Sequence, residues 1–348
     1  MQIELWNISG RSFHFGRHGM GQEESAETLT SDSLFAALVA RLAALRGGAV
    51  VDAWTRPFLA DQPPFALSSA FPRAGGVRFY PAPLSLKNSA ANLDGVDMKS
   101  IKKVRFLSEA LFRRVINGEA LDTPLYKVSI KLNEGRLLCA VEDAPHLPTV
   151  LRKDGAQMWT VEQRPRVTIQ RDTNQSNLYF TGQTLFAKDC GLWFGVRWLS
   201  EDPALRADLA GLLEDLGDAG LGGERSSGFG AASIQPAGKV ELPNTPRQPW
   251  VTLSRYLPRP DEISALQSEQ AAYTLEKVGG WAQSPGKKAE RRRAVNMLSE
   301  GSVFGGLPRA VPGRVVDTQP DYNGSQPLGH PVWRSGLALA VSLNDEGR

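Results

Sequence analysis

The sequence has 348 residues, of which 41% are hydrophobic, and its 40 Lys and Arg residues against 37 Asp and Glu residues give a formal net charge of +3. This length fits about two domains, and the composition excludes collagen-like, mucin-like and disordered classes. Because the net charge is small, a polyanionic partner has to be argued from where the charges lie.

The two cysteines, Cys139 and Cys190, have no second cysteine or histidine at metal-ligand spacing. This excludes a disulfide framework and a recognisable zinc site, so we expect buried reduced thiols and no metal. The first residues carry no cationic leader, and Arg41 interrupts the longest apolar stretch, Leu34 to Leu45. We therefore expect a cytoplasmic protein without a membrane contact.

The N-terminal part predicts a strand followed by a helix. Alternating apolar residues at 3–8 indicate the strand. Ser31-Asp32-Ser33 offers N-cap oxygens to a helix whose apolar face runs from Leu34 to Leu45 and stops at Gly47-Gly48. The elements predicted next are short strands at Phe65 to Phe71 and Val77 to Tyr80, and an irregular stretch to about residue 160.

The following segment predicts a hairpin, a strand, a helix and a further strand. The hairpin is Val167 to Phe186, with its turn at Asn174-Gln175-Ser176-Asn177, and the next strand is Gly191 to Leu199. The helix has its apolar face from Leu205 to Leu216, with a cap at Ser200 to Pro203 and an end at Gly217. The last strand is Ala231 to Gln235. The order is strand, helix, strand, insertion, strand, helix, strand. It is typical of the split β-α-β of ferredoxin-like and RNA-recognition folds, so we predict an α+β class with an open sheet face.

A proline-rich stretch, Pro236 to Pro249, predicts a linker to a second, smaller sheet domain. The elements predicted there are Trp250 to Leu257, a helix near Pro260 to Gln267, Tyr273 to Val278, Arg293 to Phe304 and Val332 to Leu343. The predicted division is therefore an N-terminal domain at 1–238 with an insertion at about 83–188, a linker at 239–249 and a C-terminal domain at 250–348.

The glycine-rich loop Gly222 to Gly230 is the most informative segment. Its glycines allow positive φ angles and the close approach of a large ligand, and backbone amides with the Arg225 guanidinium suit phosphate. The loop leaves a helix and enters a strand, and it lacks Gly-Lys-Ser/Thr, which argues against a nucleotide cofactor. A tight turn and a clamp on a nucleic-acid backbone both stay open.

Basic residues form three clusters despite the small net charge. They are Lys99, Lys102, Lys103, Arg105, Arg113 and Arg114 with Glu109 between them; Arg164, Arg166 and Arg171 near Tyr179 and Phe180; and Lys287, Lys288, Arg291, Arg292 and Arg293 with Glu290. One such cluster alone fits a solvated face. Three of them, interleaved with aromatic residues on an open-faced sheet, indicate single-stranded RNA as the partner.

Histidines and acids give weaker signals. His14 and His18 are four residues apart, but Gly16 and Gly19 argue against a helix and hence against a shared metal. His18 is the candidate acid or base if the protein cleaves RNA. Asp32, which could be grouped with Asp94 or Asp97 as metal ligands, is assigned to the helix cap instead.

Eight segments together carry a resemblance to a known family. Those in the N-terminal half are Thr30 to Leu38, Leu67 to Pro72, Lys102 to Phe106 and Gly222 to Gly230. They resemble the RAMP superfamily of CRISPR proteins. Those in the C-terminal half are Leu253 to Pro258, Gly279-Gly280-Trp281, Glu300 to Phe304 and His330 to Gly336. They resemble, more narrowly, the Cas5-group subunit of type III-A Csm complexes that caps the 5′ end of the crRNA.

The resemblance implies two ferredoxin-like (RRM-like, RAMP) domains that hold the crRNA 5′ handle between them. It also implies an inserted thumb β-hairpin, here Arg164 to Phe180, at the guide-target RNA duplex. The implied protein partners are the large polymerase/HD-domain subunit and the first backbone RAMP subunit of the Csm complex. Members of the family are usually not catalytic and carry no cofactor.

The expected RNA-binding residues follow from the loop, the basic clusters and the resemblance. They are Gly222, Gly223, Arg225, Ser226, Ser227, Gly228 and Gly230 in the loop, Lys99, Lys102, Lys103 and Arg105 as a second grip, Arg164, Arg166 and Arg171 on the hairpin, and His18.

Three hypotheses about function stand side by side. The first is a non-catalytic guide-RNA-binding subunit of an antiviral ribonucleoprotein. The second is a metal-independent endoribonuclease that processes precursor crRNA, with His18 as its acid or base. The third is a protein adaptor whose basic clusters meet acidic partner surfaces.

Overall fold

The computed structural model describes residues 1–18, 23–86, 96–169, 176–282, 284, 286–322 and 327–344. Six α-helices lie in this part of the chain: α1 Ser31–Arg46, α2 Gly48–Leu59, α3 Met98–Lys103, α4 Glu109–Ile116, α5 Thr123–Val128 and α6 Pro203–Ala219. Within these ranges, none of the helices has the length and apolar character needed to cross a membrane.

The strands of the N-terminal two thirds are β1 Gln2–Ser9, β2 Ser12–Phe13, β3 Gly16–His18, β4 Glu23–Ser25, β5 Phe65–Leu67, β6 Phe71–Ala74, β7 Val77–Pro81, β8 Phe106–Ser108, β9 Ile130–Leu132, β10 Leu137–Cys139, β11 Trp159–Ile169, β12 Ser176–Phe186, β13 Cys190–Trp198 and β14 Ser233–Glu241. Those of the C-terminal third are β15 Trp250–Thr252, β16 Leu275–Val278, β17 Trp281–Ala282, β18 Glu290–Arg291, β19 Val295–Leu298, β20 Val303–Phe304, β21 Val315–Asp317, β22 Trp333–Ser335 and β23 Ala340–Ser342.

A large mixed sheet organises the N-terminal part, in the order β14-β1-β13-β6-β7-β8-β10-β9, with β5 also paired to β13. The prediction of a central apolar strand at Gly191 to Leu199 is confirmed, because β13 pairs with both β1 and β6 and is buried over most of its length. The chain is therefore a mixed helix and sheet protein, as the α+β prediction requires.

The prediction of an irregular chain to about residue 160 is wrong. Strands β8, β10 and β9 extend the large sheet, and α4 lies beside β7 and β8. Glu109 in α4 accepts hydrogen bonds from Arg78 at 2.9 Å and from Arg113 at 3.0 Å, and both pairs are ion pairs as well. Strands of three residues are too short to show an alternating pattern, which is why periodicity missed them.

Two helix boundaries differ from the prediction for steric reasons. Helix α1 ends before Gly47 as expected, but a second helix begins directly at Gly48 and buries Phe58 against Phe35. Helix α6 continues past Gly217 to Ala219, with Gly220 as its C-cap. Gly217 is an interior residue because a Cβ there would lie 2.5 Å from the carbonyl oxygen of Ala232, so the glycine permits close packing rather than ending the helix.

The predicted hairpin is present, with longer strands and an earlier turn. Strands β11 and β12 pair in register from Trp159 with Phe186 to Ile169 with Ser176. Ser176 and Asn177, which were assigned to the turn, therefore belong to the second strand, and the connection at 170–175 lies outside the described residues. Side chains directly opposite each other share a face of the hairpin.

The predicted strand regions of the C-terminal part are present but divided among several sheets. One has the order β20-β15-β23, and three two-stranded sheets join β16 with β19, β17 with β18 and β21 with β22. Residues Pro260–Gln267 form a 3₁₀ helix where a helix was expected. Trp250, Tyr256 and Phe304 pack together as a small aromatic core.

The boundary between the two parts is tightly packed. Strand β14 runs to Glu241, so residues 236–241 belong to the large sheet and not to a linker. Val251, Leu253 and Leu339 belong to the same hydrophobic core as the N-terminal sheet. The division at 239–249 stays a prediction.

Candidate nucleic-acid interface

A cleft of about 880 Å³ lies between the N-terminal and C-terminal parts. Its lining includes the start of α1, the end of α3, the first glycines of the glycine loop and strand β16. Elements that are far apart in the sequence therefore meet around one cavity.

Four cationic side chains enter the cleft from the N-terminal part: Lys102, Lys103, Arg105 and Arg136. The two arginines are held by one carboxylate, because Glu27, only 6% exposed, forms ion pairs with Arg105 at 3.3 Å and with Arg136. Lys102 and Lys103 are exposed at the end of α3, and neither forms an ion pair with another described residue. The lysine ammonium groups are therefore available to an anionic ligand.

Three more cations enter from the C-terminal part: Arg255, Lys277 and Arg292. Arg255 is 8% exposed and forms ion pairs with Glu276 at 2.6 Å and Glu300 at 3.3 Å. Arg292 donates a hydrogen bond to the carbonyl oxygen of Gly279. Loss of hydration on burial, reinforced by the nearby Arg334 charge, lowers the pKa of Arg292 to about 10, so it stays protonated at neutral pH.

The start of α1 joins the two parts through a buried polar network, which we call the junction (Ser31, Asp32, Ser69, Arg255, Glu300 and Arg334). The backbone N–H of Ser31 donates to Ser69 Oγ at 2.8 Å, and Ser69 Oγ donates to Glu300 at 2.5 Å. The backbone N–H of Arg255 donates to Ser31 Oγ at 2.9 Å. The junction thereby fixes how the C-terminal part sits against the helix.

Asp32 has a different role from the predicted one. The N-cap residue of α1 is Thr30, and its side chain does not bond to the first backbone N–H groups. Asp32 is 1% exposed, and it accepts hydrogen bonds from Arg334 at 3.2 Å and from the Thr30 hydroxyl at 2.6 Å. The prediction that Asp32 caps the helix is wrong, because the carboxylate is used to pair a C-terminal arginine.

The glycine loop is partly closed on the protein. The backbone N–H of Gly223 donates to the carbonyl oxygen of His14 at 2.9 Å, and that of Gly230 donates to Ser12 at 2.8 Å. Gly222 and Gly230 have φ angles of +86° and +85°, and a Cβ at either would lie within 2.4 Å of a carbonyl oxygen. These glycines therefore set the fold of the loop against β2 and its neighbours.

Arg225, Ser226 and Ser227 form a short 3₁₀ turn that is exposed to solvent. The N–H groups of Ser227 and Gly228 bond back to Glu224 and Arg225, at 2.9 and 3.1 Å. The Arg225 guanidinium is part of the exposed surface of this turn. The tip of the glycine loop is thus exposed to solvent, whereas its base is hydrogen-bonded to the rest of the protein.

Arg166 of the hairpin contacts the glycine loop. The Arg166 guanidinium lies 5.3 Å from the centre of the Phe229 ring, which is a cation–π distance. At the base of the hairpin, His14 Nδ1 lies 2.7 Å from the carbonyl oxygen of Gly182; since a carbonyl only accepts, Nδ1 carries the hydrogen. His14 is 5% exposed and lines the cleft, so it links hairpin, loop and cleft.

Comparisons with known proteins agree on one family. Residues 245–343 match the model of the CRISPR Csm4 C-terminal domain. The protein called CRISPR system Cms protein Csm4 in Mycobacterium tuberculosis (strain H37Rv) is 26% identical over 349 residues, which cover 99% of this chain and 98% of the relative. Its counterpart in Thermococcus onnurineus (strain NA1) is 25% identical over 320 residues, which cover 90% of this chain and 91% of the relative. The chain is thus similar to Csm4 proteins over nearly its whole length, and its residues 245–343 match the Csm4 C-terminal domain.

Solved Csm4 structures share the fold. A crystal structure of the Csm3-Csm4 subcomplex in the type III-A CRISPR-Cas interference complex has a TM-score of 0.66 at 17% identity and covers 99% of both chains. A crystal structure of a Csm1-Csm4 cassette in complex with cA4 has a TM-score of 0.57 at 16% identity and covers 99% of this chain and 98% of that one. The mixed helix and sheet architecture is therefore that of Csm4 proteins.

The Csm4-like segments of the sequence converge on the junction. Thr30 to Leu38 contains Ser31 and Asp32, Leu67 to Pro72 contains Ser69, and Leu253 to Pro258 contains Arg255. The segments that begin at Glu300 and His330 supply Glu300 and Arg334 to the same network. Their resemblance thus reflects residues that meet in space.

The predicted RNA-binding residues divide into several groups. Those that line the cleft are Gly222, Gly223, Lys102, Lys103 and Arg105. Those that lie outside its lining are Arg225, Ser226, Ser227, Gly228, Gly230, Lys99, Arg164 and Arg166. Arg171 and the side chain of His18 lie outside the described residues.

Sequence reasoning did not assign five basic residues of the cleft to the site: His14, Arg136, Arg255, Lys277 and Arg292. Arg292 stood in the third basic cluster, and His14 was considered only as a partner of His18. Arg136 and Arg255 lie outside the basic clusters, and the resemblance of the segment Leu253 to Pro258 gave Arg255 no role of its own. In the described ranges, no group of three or more His, Cys, Asp or Glu side chains is arranged to hold a metal ion.

Proposed function

We propose that this Csm4-like chain holds the 5′ handle of a crRNA in the cleft, as a non-catalytic subunit of a type III-A Csm complex acting in the cytoplasm. The observation that carries the proposal is the cleft itself, which receives cationic side chains from both parts of the chain and the first two glycines of the loop. Lys and Arg contacts to phosphates fix the position of a nucleic acid, and a cleft of this kind fits a single strand.

The free ammonium groups at the end of α3 support the proposal most directly. Lys102 and Lys103 face the cleft and are exposed, whereas Arg105 and Arg136 beside them share Glu27. A lysine without a carboxylate partner keeps its whole charge for a ligand. We therefore assign Lys102 and Lys103 to the RNA backbone, and we keep Lys99 and the exposed turn at Arg225 as outer contacts.

A finer architecture accompanies this function. We propose that β14, β1, β13 and β6 with helices α1 and α6 form one ferredoxin-like domain, and that residues 250–348 form the second. The strand order β14-β1-β13-β6 supports the first assignment, since the strands that precede the two helices lie side by side in the centre.

We propose that hairpin β11–β12 is the thumb at the guide-target duplex. Its two faces have different chemistry, which supports this role. Arg164 and Arg166 share one face with Tyr179, and Pro165 lies opposite the exposed Phe180 on the other. A basic face suits phosphates, and an exposed ring suits a base.

The similar structures suggest protein partners for this chain. One of them is a subcomplex with Csm3, and the other is a cassette with Csm1. We infer that this chain contacts a Csm3-type backbone RAMP subunit and a Csm1-type large subunit in the same assembly. Co-purification of the tagged chain with each subunit alone tests the two contacts separately.

The RNA proposal is tested by removing the two free lysines. Lys102→Ala/Lys103→Ala is expected to weaken binding of a handle-containing RNA by roughly tenfold or more, measured by filter binding at fixed salt. Lys153→Ala/Lys188→Ala is the matched control, because both lysines are exposed and neither lines the cleft. Equal binding by wild type and the α3 variant would show that RNA does not occupy this cleft.

The alternative of an endoribonuclease is decided by incubating the chain with repeat RNA in the presence of EDTA. We expect no cleavage. Two histidines are the variants to compare: His18, which the sequence selected, and His14, which lines the cleft. Cleavage that is lost in either His→Ala variant would replace the non-catalytic proposal.

A further inference from the structure

The guanidinium of Arg292 is the unusual charge in the cleft. Its Nη2 atom donates to the carbonyl oxygen of Gly279, but Nε and Nη1 are buried without a hydrogen-bond partner among the described residues. No described carboxylate forms an ion pair with it, in contrast to Arg255 and Arg334. A buried charged donor without an acceptor is unfavourable in the absence of a ligand.

The backbone around Arg292 holds the guanidinium in place. Its N–H donates to the carbonyl oxygen of Gly280 at 3.1 Å. Gly280 has a φ angle of +132°, and a Cβ there would lie 3.4 Å from Arg292 Nε and Nη2. The carbonyl oxygens of Gly279 and Gly280 therefore hold both the side chain and the backbone of Arg292, which sets it apart from a loose surface arginine.

A second guanidinium lies on the same side of the cleft. Arg255 is 8% exposed, and its Nη1 atom is buried without a hydrogen-bond partner in the described part of the chain. Arg255 and Arg292 both line the cleft with the start of α1, and the backbone N–H of Arg255 donates to Ser31 Oγ at 2.9 Å. Asp32 itself is paired with Arg334.

Three of the first four backbone N–H groups of α1 are already used. That of Ser31 donates to Ser69, and those of Ser33 and Leu34 donate to the carbonyl oxygen of Thr30. Guanidinium N–H groups are the side-chain donors that stay unpaired among the described residues at this point. A guanidinium presents parallel N–H groups that match two oxygens of a phosphate.

We propose that Arg292 binds one particular phosphate of the RNA in the cleft and so sets the register of the handle. This inference rests on the proposed function, since it names the contact that the C-terminal part makes with the same RNA. The lysines of α3 hold the backbone as point charges, whereas a fixed, buried guanidinium selects one phosphate.

The test combines a protein variant with single neutral phosphates. Handle RNAs, each with one methylphosphonate, are bound to the full-length chain, to Arg292→Gln and to Arg293→Gln. Arg293 is the matched control, because it is the next residue, is exposed and also donates to a backbone carbonyl oxygen, that of Asp317 at 3.0 Å.

For wild type and Arg293→Gln, we expect one methylphosphonate position that weakens binding by roughly tenfold, the value of one charge-assisted hydrogen bond. For Arg292→Gln, unmodified RNA binds roughly tenfold more weakly, and the effect of that one position disappears. Arg292→Lys keeps the positive charge without the paired N–H groups. If Arg292→Gln weakens binding through the loss of this charge and not through misfolding, Arg292→Lys binds the RNA more tightly than Arg292→Gln and more weakly than wild type.

The outcomes separate the two proposals. If wild type binds the RNA and Arg292→Gln shows the same affinity and the same sensitive position, the phosphate site is refuted while the cleft proposal stands. If wild type binds no handle RNA, both are refuted. If Arg292→Gln weakens binding but keeps the sensitivity at every position, Arg292 acts on the fold and not on a phosphate, and the inference fails.

Discussion

The junction and the lysine end of α3 both contain basic side chains at the same cleft, but they use them in opposite ways. In the junction, Arg334 faces Asp32, and Arg255 faces Glu276 and Glu300, all largely buried. At the end of α3, Lys102 and Lys103 are exposed and have no ion-pair partner among the described residues. Paired, buried charges fix the shape of the cleft, and unpaired, exposed ones are left for a ligand.

Substitutions in the junction and at the end of α3 should also differ in their effect on the stability of the fold. Removing one member of a buried ion pair leaves a charge that water cannot reach, so the folded state loses stability. Removing an exposed lysine changes stability little and changes the electrostatic attraction for an anion instead. Variants of the two regions should therefore separate folding from binding.

The largest expected effect is in the junction. Arg334→Ala leaves Asp32 buried, 1% exposed, without its cationic partner. We expect a loss of about 3–5 kcal/mol in the free energy of unfolding, measured by urea denaturation. Arg314→Ala, which removes an exposed arginine nearby, should change it by less than about 0.5 kcal/mol.

A double variant separates the effect of the unpaired charge from the loss of side-chain packing. Asp32→Asn combined with Arg334→Gln removes both charges, and it should recover at least half of the stability that Arg334→Ala loses. A loss below about 1 kcal/mol for Arg334→Ala would mean that the junction does not fix the cleft.

The glycine loop offers a comparison of two residues with the same backbone. Gly228 and Gly230 have φ angles of +87° and +85°, but a Cβ meets nothing within 4 Å at Gly228 and lies 2.2 Å from the carbonyl oxygen of Leu221 at Gly230. Gly228→Ala should cost about 1–2 kcal/mol for the left-handed conformation alone. Gly230→Ala should lower the free energy of unfolding clearly more than Gly228→Ala does, and thermal unfolding of the two variants measures the difference. Equal losses of stability would show that the loop is not closed on the protein.

The lysines of α3 should change the salt dependence of RNA binding. Lys102→Ala/Lys103→Ala removes two phosphate contacts, so the slope of log K against log salt should become shallower by about 1.4 for a single strand. The melting temperature should stay within a few degrees of wild type. An unchanged slope would assign these lysines to a protein partner rather than to RNA.

The smallest effect is expected at the contact between hairpin and loop. Arg166→Ala removes the guanidinium that lies 5.3 Å from the Phe229 ring, and it should cost about 0.5–1 kcal/mol of stability. Arg164→Ala on the same face should cost less, because Arg164 is exposed. If the two variants are equally stable, the hairpin is not anchored to the loop through Arg166.

Much of the fold could be predicted where the signal is local. Asp202 caps helix α6 by accepting a hydrogen bond from the N–H of Ala204 at 2.9 Å, as its position before Pro203 indicates. The apolar run of β13 identified a central strand. Helix α2 was not predicted because it starts directly after Gly47, with no side-chain cap, and strands β8, β9 and β10 were not predicted because each is three residues long.

The cleft was only half predictable for the same reason. The clustered Lys102, Lys103 and Arg105 were expected to bind RNA, and they do line the cleft. Arg136 and Arg255 have no basic neighbours to mark them. Arg105 was predicted to bind RNA, but it is already in an ion pair with Glu27, and nothing in the sequence indicates that pairing.

The order of residues along the chain determined the helix ends, the central strand, the clustered lysines and the resemblance to CRISPR RAMP subunits, since each depends on neighbours in sequence. Only the tertiary structure decided which charges are paired and which are free. Asp32 and Arg334 are 302 residues apart, and an ion pair acts over a few ångströms, so no local pattern encodes their contact.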